Sequence, residues 1–509
     1  MTKVTVIGGG LSGLSAAILL VSEGFEVSLY EREKAVGGNF TTYSLDSYDF
    51  EVGPSFFALP EILESVFKAA NKDMNDYLEI ELLKKHTTIH FIDGVKFEMM
   101  NCPIEMKKQL ELLDPFAAEH YDSFLKEVER LYYEFSQIES EFHISNWMKL
   151  VEKPIRNLLL KLRPFESMDQ FLRKYFKNEQ LIQLLAKYAN QEPHSSKTVP
   201  AFLASQLYMM LSSNVYYTRG GNSEIPNSLR KLALELGVKF YTNKEITKIH
   251  VEDQKVIGIQ VNHDLSIESD CILMSSSQIL SENKLLDEQL LSYEKKETFK
   301  PEETRYSQFI LFLGLKKHTD LSMHSVLFSS DIELEVEQLN NGEFATNPTI
   351  YLYNPAQVEP ERFPNGDSLV ITVLAPYVDE ENVSHRADVI TYRSLLLNKI
   401  KAYGYDLEPL IVEEKLWTAE EIKNNVKKSP GKIFGFVSNA FAKAYLRPPV
   451  KSEELDGLYF TLVNTNHPSG SSDALKNGLH LATMIIADYQ DKESGSNDDP
   501  EEPFIDLTE

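Results

Sequence analysis

A glycine-rich turn between two strand-like runs constrains the fold of this chain more than any other feature. Gly8-Gly9-Gly10-Leu11-Ser12-Gly13 follows Val4-Thr5-Val6-Ile7, a short apolar strand, and opens a stretch from Leu14 to Val21 that is apolar on all sides, as a buried helix is. Gly24 ends the helix. Glu26-Val27-Ser28-Leu29-Tyr30 then alternates as a second strand before Glu31, eighteen residues after Gly13. The spacing GxGxxG, with Ala17 four residues on, suits the first turn of a dinucleotide-binding βαβ unit. Gly8 permits the tight turn, Gly10 lets the backbone approach a pyrophosphate, and Gly13 brings helix and strand together. The helix N-terminus presents free N–H groups and partial positive charge to phosphates. Glu31 can accept from both hydroxyls of an adenosine ribose. The same window is uncharged after Lys3 and resembles a secretory leader in length, but its glycine spacing argues for the nucleotide turn.

A chain of 509 residues has room for roughly two to four domains. With 42% hydrophobic and 25% charged residues it has the balance of a water-soluble globular protein. The net charge of −26 argues against a nucleic-acid partner, which needs a basic footprint. Two cysteines, Cys102 and Cys271, cannot form a disulfide framework, a CxxC pair or a four-thiolate metal site, and a reducing cytoplasm fits them. Thr198–Thr218 is uncharged but contains Pro200, Gln206, three serines and Asn214, so it reads as a buried or cavity-lining helix rather than a membrane span. Residues 491–509 hold eight acids and one lysine, the composition of a disordered, solvated tail; Phe504-Ile505-Asp506-Leu507 leaves open a partner-binding peptide.

Between the ends, Pro103–Tyr188 is predominantly helical in pattern, for example over Tyr121–Ile138. A helix over Ile225–Leu236 and strands at Lys239–Tyr241, Ile246–Val251 and Val256–Val261 follow Arg219-Gly220-Gly221. Residues 305–320 and 345–378, rich in β-branched and aromatic side chains, predict a second sheet. Helices are expected over Ala387–Tyr403 and Asp473–Tyr489.

Six residues after Glu31 comes Gly37-Gly38, and then Phe50-Glu51-Val52-Gly53-Pro54-Ser55. With these segments the chain resembles the flavoprotein group that includes amine oxidases and phytoene desaturases. In that group the second glycine pair approaches the FAD pyrophosphate. Asn39 replaces the usual basic residue after the pair, and Glu51 stands where Asp is commoner. Arg219-Gly220-Gly221 with Ile225–Leu229, the segment Asn243–Ile249, Asp270–Leu273, Trp417–Glu421 and Gly431–Gly435 are similar to bacterial carotenoid desaturases, diapophytoene desaturases and diapolycopene oxygenases. The resemblance implies FAD as cofactor, adenine pairing near Ile246, and cofactor contacts at Gly8, Gly10, Ser12, Gly13, Glu31, Gly38, Asn39, Gly53, Ile246 and Asn464. Near the C-terminus the family carries a glycine-rich stretch against the isoalloxazine end of FAD. Here only His467-Pro468 and Gly470 survive clearly, with Gly478 in the following helix.

The resemblance also implies a reaction: hydride transfer from a linear C30 or C40 carotene to flavin, as desaturation or terminal oxidation. A flavin-dependent isomerase, an amine oxidase-like enzyme and a non-catalytic carotenoid-binding relative remain open beside it. Neither GxSxG nor HExxH occurs. His86 and His90 are four apart, but Thr87–Phe91 reads as strand, which speaks against a metal pair. His467 reads either as a histidine near the flavin or as a turn residue bonded to backbone, and no catalytic residue stands out.

A lipid-like substrate calls for a membrane surface. Between Trp147 and Lys177, eight Lys/Arg oppose three acids, interleaved with apolar side chains, which predicts peripheral docking on the cytoplasmic side and an apolar tunnel lined partly by Ala201–Leu211. The organisation expected is a discontinuous, Rossmann-like FAD-binding domain from residues 1–100, 215–300 and 440–490. A helical subdomain over 101–214, a mixed sheet-plus-helices substrate domain over 301–439 and the tail from 491 complete it.

Overall fold

The computed structural model describes residues 1–141, 153–189, 194–211, 214–275, 285–286, 306–376, 386–426, 450–461 and 471–494. The glycine turn sits where a strand–turn–helix reading places it. β1 (Lys3–Ile7) leads through the turn into α1 (Leu11–Ser22), and β2 (Glu26–Tyr30) returns parallel to β1, Val4 opposite Val27. They form the middle of a five-stranded parallel sheet completed by Lys239–Tyr241 beyond β2 and by Cys271–Met274 and then Leu458–Phe460 beyond β1. Strands 200 and more residues apart in sequence thus share one sheet. α1 is buried almost all round, as its apolar composition requires, because Glu224–Leu236 and the C-terminal helix Ser471–Ser494 both pack on it. Gly478 is needed at that crossing, since a Cβ there would clash with the Ser12 carbonyl and the Ser15 hydroxyl.

A seven-stranded sheet forms a second layer, in the order Ile411–Trp417, Tyr306–Leu315, Ser368–Pro376, Ile350–Tyr353, His324–Leu327, Lys85–His90, Lys96–Met100. All its pairings are antiparallel except that of His324–Leu327 with Lys85–His90. Within the first hundred residues, Lys85–His90 and Lys96–Met100 pair in this second sheet, whose neighbours supply their backbone partners. A meander over Ile246–Glu252, Lys255–Val261 and Leu265–Glu268 forms a separate three-stranded sheet.

Helices Pro103–Leu113, Pro115–Glu141, Lys153–Lys161, Met168–Leu172 and Glu179–Ala189 pack around Phe124, Phe135, Phe171 and Leu184, and share a core with Val326 and Phe328 of the second sheet. The single helix expected within Thr198–Thr218 is a 3₁₀ segment, Ala201–Ser205, then a six-residue helix, Gln206–Leu211, and a strand, Val215–Thr218. The two β-branched and aromatic pairs Val215-Tyr216 and Tyr217-Thr218 favour the strand. Asp473–Tyr489 lies inside a longer helix that continues to Ser494, so the first four residues of the expected tail are helical; the rest, including Phe504–Leu507, lies outside the described residues. Among the described residues no helix is long and apolar enough to cross a membrane.

Candidate functional site

The residues singled out around the turn converge. Gly8 has φ +101° and its N–H donates to the Tyr30 carbonyl at 2.8 Å. A Cβ on Gly13 would collide with the Gly8 carbonyl, so helix and turn meet backbone to backbone there. Gly10 is different. It is the N-cap of α1, with no side-chain cap and no acid in the first helical turn, and no atom of the described residues lies within 4 Å of where its Cβ would be. The helix N-terminus, with Ser12 half-buried in its first turn, presents uncapped donors on an open face.

Three further segments build on this turn. The Gly37 N–H donates to the Gly9 carbonyl at 2.8 Å, and Gly38, at φ +61°, is so close that a Cβ on it would stand 3.1 Å from the Gly10 Cα. Asn39 is exposed, and its carbonyl fills the space a side chain at Gly53 would need. The close approach made by Gly53 is therefore to the chain's own backbone. Glu31 closes the other side: one carboxylate oxygen accepts from the Gly9 N–H at 2.7 Å and the other from the Glu33 N–H at 2.8 Å. Each oxygen keeps capacity for a second donor. The Lys244 N–H donates to the Glu31 carbonyl at 2.9 Å, which brings buried Ile246 to this end of the turn. Asn464 and His467, like Trp147, Lys149 and Gly431–Gly435, lie outside the described residues.

Sequence reasoning missed a polar network behind Gly53. Glu51 is buried, pairs with Arg362, and accepts from the Tyr353 hydroxyl at 2.8 Å and the Asn222 N–H at 3.3 Å. Gly221 is required because a Cβ there would strike Glu51 and Arg362. Tyr217 donates to Glu359 at 2.8 Å, and Glu359 also accepts from the Gly220 N–H at 3.0 Å. Burial, then the negative charge of Glu51, push the Tyr217 and Tyr353 hydroxyls well above the ordinary phenol range, so both stay protonated donors. Burial opposes the charge on Arg362, but Glu51 more than offsets it. Asn222 donates to the Pro54 carbonyl at 2.8 Å and keeps its own Oδ1 buried without a partner. Glu51 as an acid and the Gly220-Gly221 pair were visible in sequence; Arg362 and Glu359, some three hundred residues on, carried no signal. Among the described residues no group of three or more His, Cys, Asp or Glu could hold a metal, and His86 and His90 lie on a strand.

The family described as flavin containing amine oxidoreductase matches residues 11–486, and the chain belongs to it. It is thus an oxidoreductase with FAD as its cofactor. Among its curated relatives are a 4,4'-diapolycopene oxygenase of Methylomonas sp, 28% identical over 96% of this chain and 99% of the relative. A 4,4'-diaponeurosporene oxygenase of Staphylococcus aureus (strain MW2) is 27% identical, again over 96% and 99%. Of solved structures, a putrescine oxidase variant shares the fold at TM-score 0.60 and 13% identity, over 96% and 99% of the two chains. A fatty acid isomerase from P. acnes does so at 0.55 and 14%, over 95% and 98%. The residues present fit FAD on two observations. The open face at Gly10 meets uncapped helix donors, as a pyrophosphate requires, and the orphaned Asn222 Oδ1 offers an acceptor beside the Gly53-Pro54 segment.

Proposed function

We propose that this chain oxidises a long apolar polyene, a linear C30 or C40 carotene, by desaturation or terminal oxidation with FAD. The observation that carries the reading is that relatives named for diapolycopene and diaponeurosporene align along 96% of the chain. The domain division we favour keeps the nucleotide sheet as the FAD-binding part and the seven-stranded sheet, now with Lys85–Met100, as the substrate part. Gly8, Gly10, Ser12 and Gly13 would hold the pyrophosphate with backbone donors, and Glu31 the ribose hydroxyls. Gly38, Asn39 and Gly53 would shape the path to the ring, with Ile246 at the adenine and Asn464 at the isoalloxazine end. Bound flavin supplies a two-electron acceptor for hydride. The chain's own share is to exclude water and hold the substrate: the apolar side chains orient the hydrocarbon, and the Glu51–Arg362–Tyr353 network fixes the segment beside the ring. No strong base is needed where positive charge spreads along a conjugated chain.

Purified protein is expected to show the flavin bands at about 370 and 450 nm, and cells accumulating linear C30 or C40 carotenes are expected to gain a desaturated or end-oxidised product. Unchanged carotenes with a flavin-replete protein would overturn the assignment; a double-bond isomer as the product would replace it with an isomerase.

The same reading places the protein peripherally on the cytoplasmic face of a membrane. The basic patch expected between Trp147 and Lys177 is largely neutralised in the described part: Arg163 pairs with Glu127 and Glu166, Arg173 with Asp169 and Glu179, and Lys174 with Glu166. What supports docking is apolar. Phe165 is 87% exposed and Leu160 55%, beside a shallow groove of about 580 Å³ lined also by Pro164 and Lys174. Phe165→Asp is therefore expected to cut co-sedimentation with lipid vesicles several-fold, whereas charge reversal at Arg156 and Lys161 has a smaller effect. Equal sedimentation of wild type and Phe165→Asp would remove this face from consideration.

A further inference from the structure

Two imidazoles on neighbouring strands of the seven-stranded sheet are left without a role by the flavin cradle. His86 belongs to Lys85–His90 and His324 to His324–Leu327, the one parallel pair described in that sheet. They are 1% and 5% exposed. His324 lies between two aromatic rings, Phe56 at 3.9 Å and 21° and Tyr353 at 4.9 Å and 22° between centroids and planes. Phe56 also meets His86 edge-on at 6.0 Å.

The hydrogen bonds fix what His324 can do. Its Nδ1 lies 3.2 Å from the His86 backbone carbonyl, which can only accept, so Nδ1 carries the proton. Burial lowers the His324 pKa to about 3 and that of His86 to about 4, so both rings are neutral. In neutral His324 the remaining nitrogen, Nε2, is then a bare lone pair. That atom is buried and has no partner among the described residues. His86 bonds Thr87 through Nδ1 at 3.0 Å and likewise leaves Nε2 buried and unpartnered. Buried polar atoms are almost always satisfied, so the orphaned His324 Nε2 marks a place where an atom from outside the chain belongs. No third metal ligand accompanies them among the described residues.

The surroundings say what that atom is. A lone pair accepts a hydrogen bond, so His324 selects an O–H and gives nothing to a hydrocarbon end, an anion or a carbonyl oxygen. The flanking Phe56 and Tyr353 rings stack on the imidazole and hold its plane among apolar neighbours. The site also adjoins the cofactor segments: Phe56 lies three residues beyond Gly53, and Tyr353 donates to Glu51. We propose that His324 Nε2 accepts a hydrogen bond from the hydroxyl of a polyene already oxidised to a terminal alcohol and thereby distinguishes that alcohol from its parent hydrocarbon. The inference rests on the polyene reading above and adds a preference among its substrates.

Equilibrium dialysis of the flavin-loaded protein against two detergent-solubilised C20 probes, geranylgeraniol and its deoxygenated hydrocarbon, tests it without turnover. Wild type is expected to bind the alcohol about tenfold more tightly, the size of one well-placed buried hydrogen bond. His324→Phe keeps a ring between Phe56 and Tyr353 and is expected to lose the preference while binding the hydrocarbon as before. His324→Gln, which retains an acceptor, is expected to regain part of it. Equal affinities in the wild type, or an undiminished preference in His324→Phe, overturn the inference and leave the polyene reading standing. Failure of the wild type to bind either probe counts against the polyene reading itself.

Discussion

Gly10→Glu is expected to give a folded protein that purifies without flavin. Gly10 sits at φ −73° and ψ 177°, extended backbone open to any residue, and its missing side chain faces free space. A Cβ there meets no atom of the described residues within 4 Å. A glutamate also places a carboxylate at the N-terminus of α1, which has neither a capping side chain nor an acid in its first turn, and that contact favours the helix by about 0.3–1 kcal/mol. The same carboxylate would stand where a pyrophosphate approaches, repelling it and taking its donors. A loss of flavin affinity of at least a hundredfold is expected, about 3 kcal/mol. The checks are the absorbance near 450 nm and the thermal midpoint of the apoprotein. A yellow Gly10→Glu protein with wild-type flavin content would move the cofactor away from this turn. Gly13→Glu could not serve, because a Cβ at Gly13 clashes with the Gly8 carbonyl and would disturb the fold itself.

The second large effect concerns stability. Lys187, on helix Glu179–Ala189, meets Glu335, on helix Ile332–Asn340, at 3.5 Å, with side chains 4% and 1% exposed. Thr349 donates to the other Glu335 oxygen at 2.8 Å. A pair this dry gains little over an apolar one, but losing one member strands a charge with no water. Lys187→Met is expected to cost about 3–5 kcal/mol, read as a lower urea midpoint. Adding Glu335→Gln removes the stranded charge while keeping an acceptor for Thr349, so the double variant is expected to recover most of the loss. A single variant as stable as wild type would show that water reaches the pair.

The turn, α1, β1 and β2 were legible because glycines required by backbone contact sit at fixed local spacing, and Gly8, Gly13 and Gly38 proved to be such contacts. The second sheet was visible as β-branched and aromatic runs over 305–320 and 345–378, where strands Tyr306–Leu315, Ile350–Tyr353 and Ser368–Pro376 lie, and the C-terminal helix as Asp473–Tyr489. What sequence concealed was pairing at a distance. Lys85–Met100 follows a nucleotide unit in sequence, yet its strands find partners near residue 325, and nothing local announces that choice. The Glu51 network failed to appear for the same reason: Glu51, Asn222, Tyr353 and Arg362 are ordinary surface types until the fold buries them together. His86 and His324 were separately unremarkable. Their neutral state comes from burial, and the tautomer of His324 from a carbonyl belonging to His86.

The crossing of α1 with helix Ser471–Ser494 ties segments some 450 residues apart into one unit. Leu458–Phe460 forms an edge of the sheet that β1 centres, and Gly478 lies against the very turn of helix that begins the cofactor cradle. A ribosome-bound chain that has not yet emitted these residues has the glycine motif but not its backing, with Ser12, Ser15 and their neighbours bare to solvent. Flavin capture would thus wait for residues 458–494, and truncation before Leu458 would remove the support of a motif made long before it.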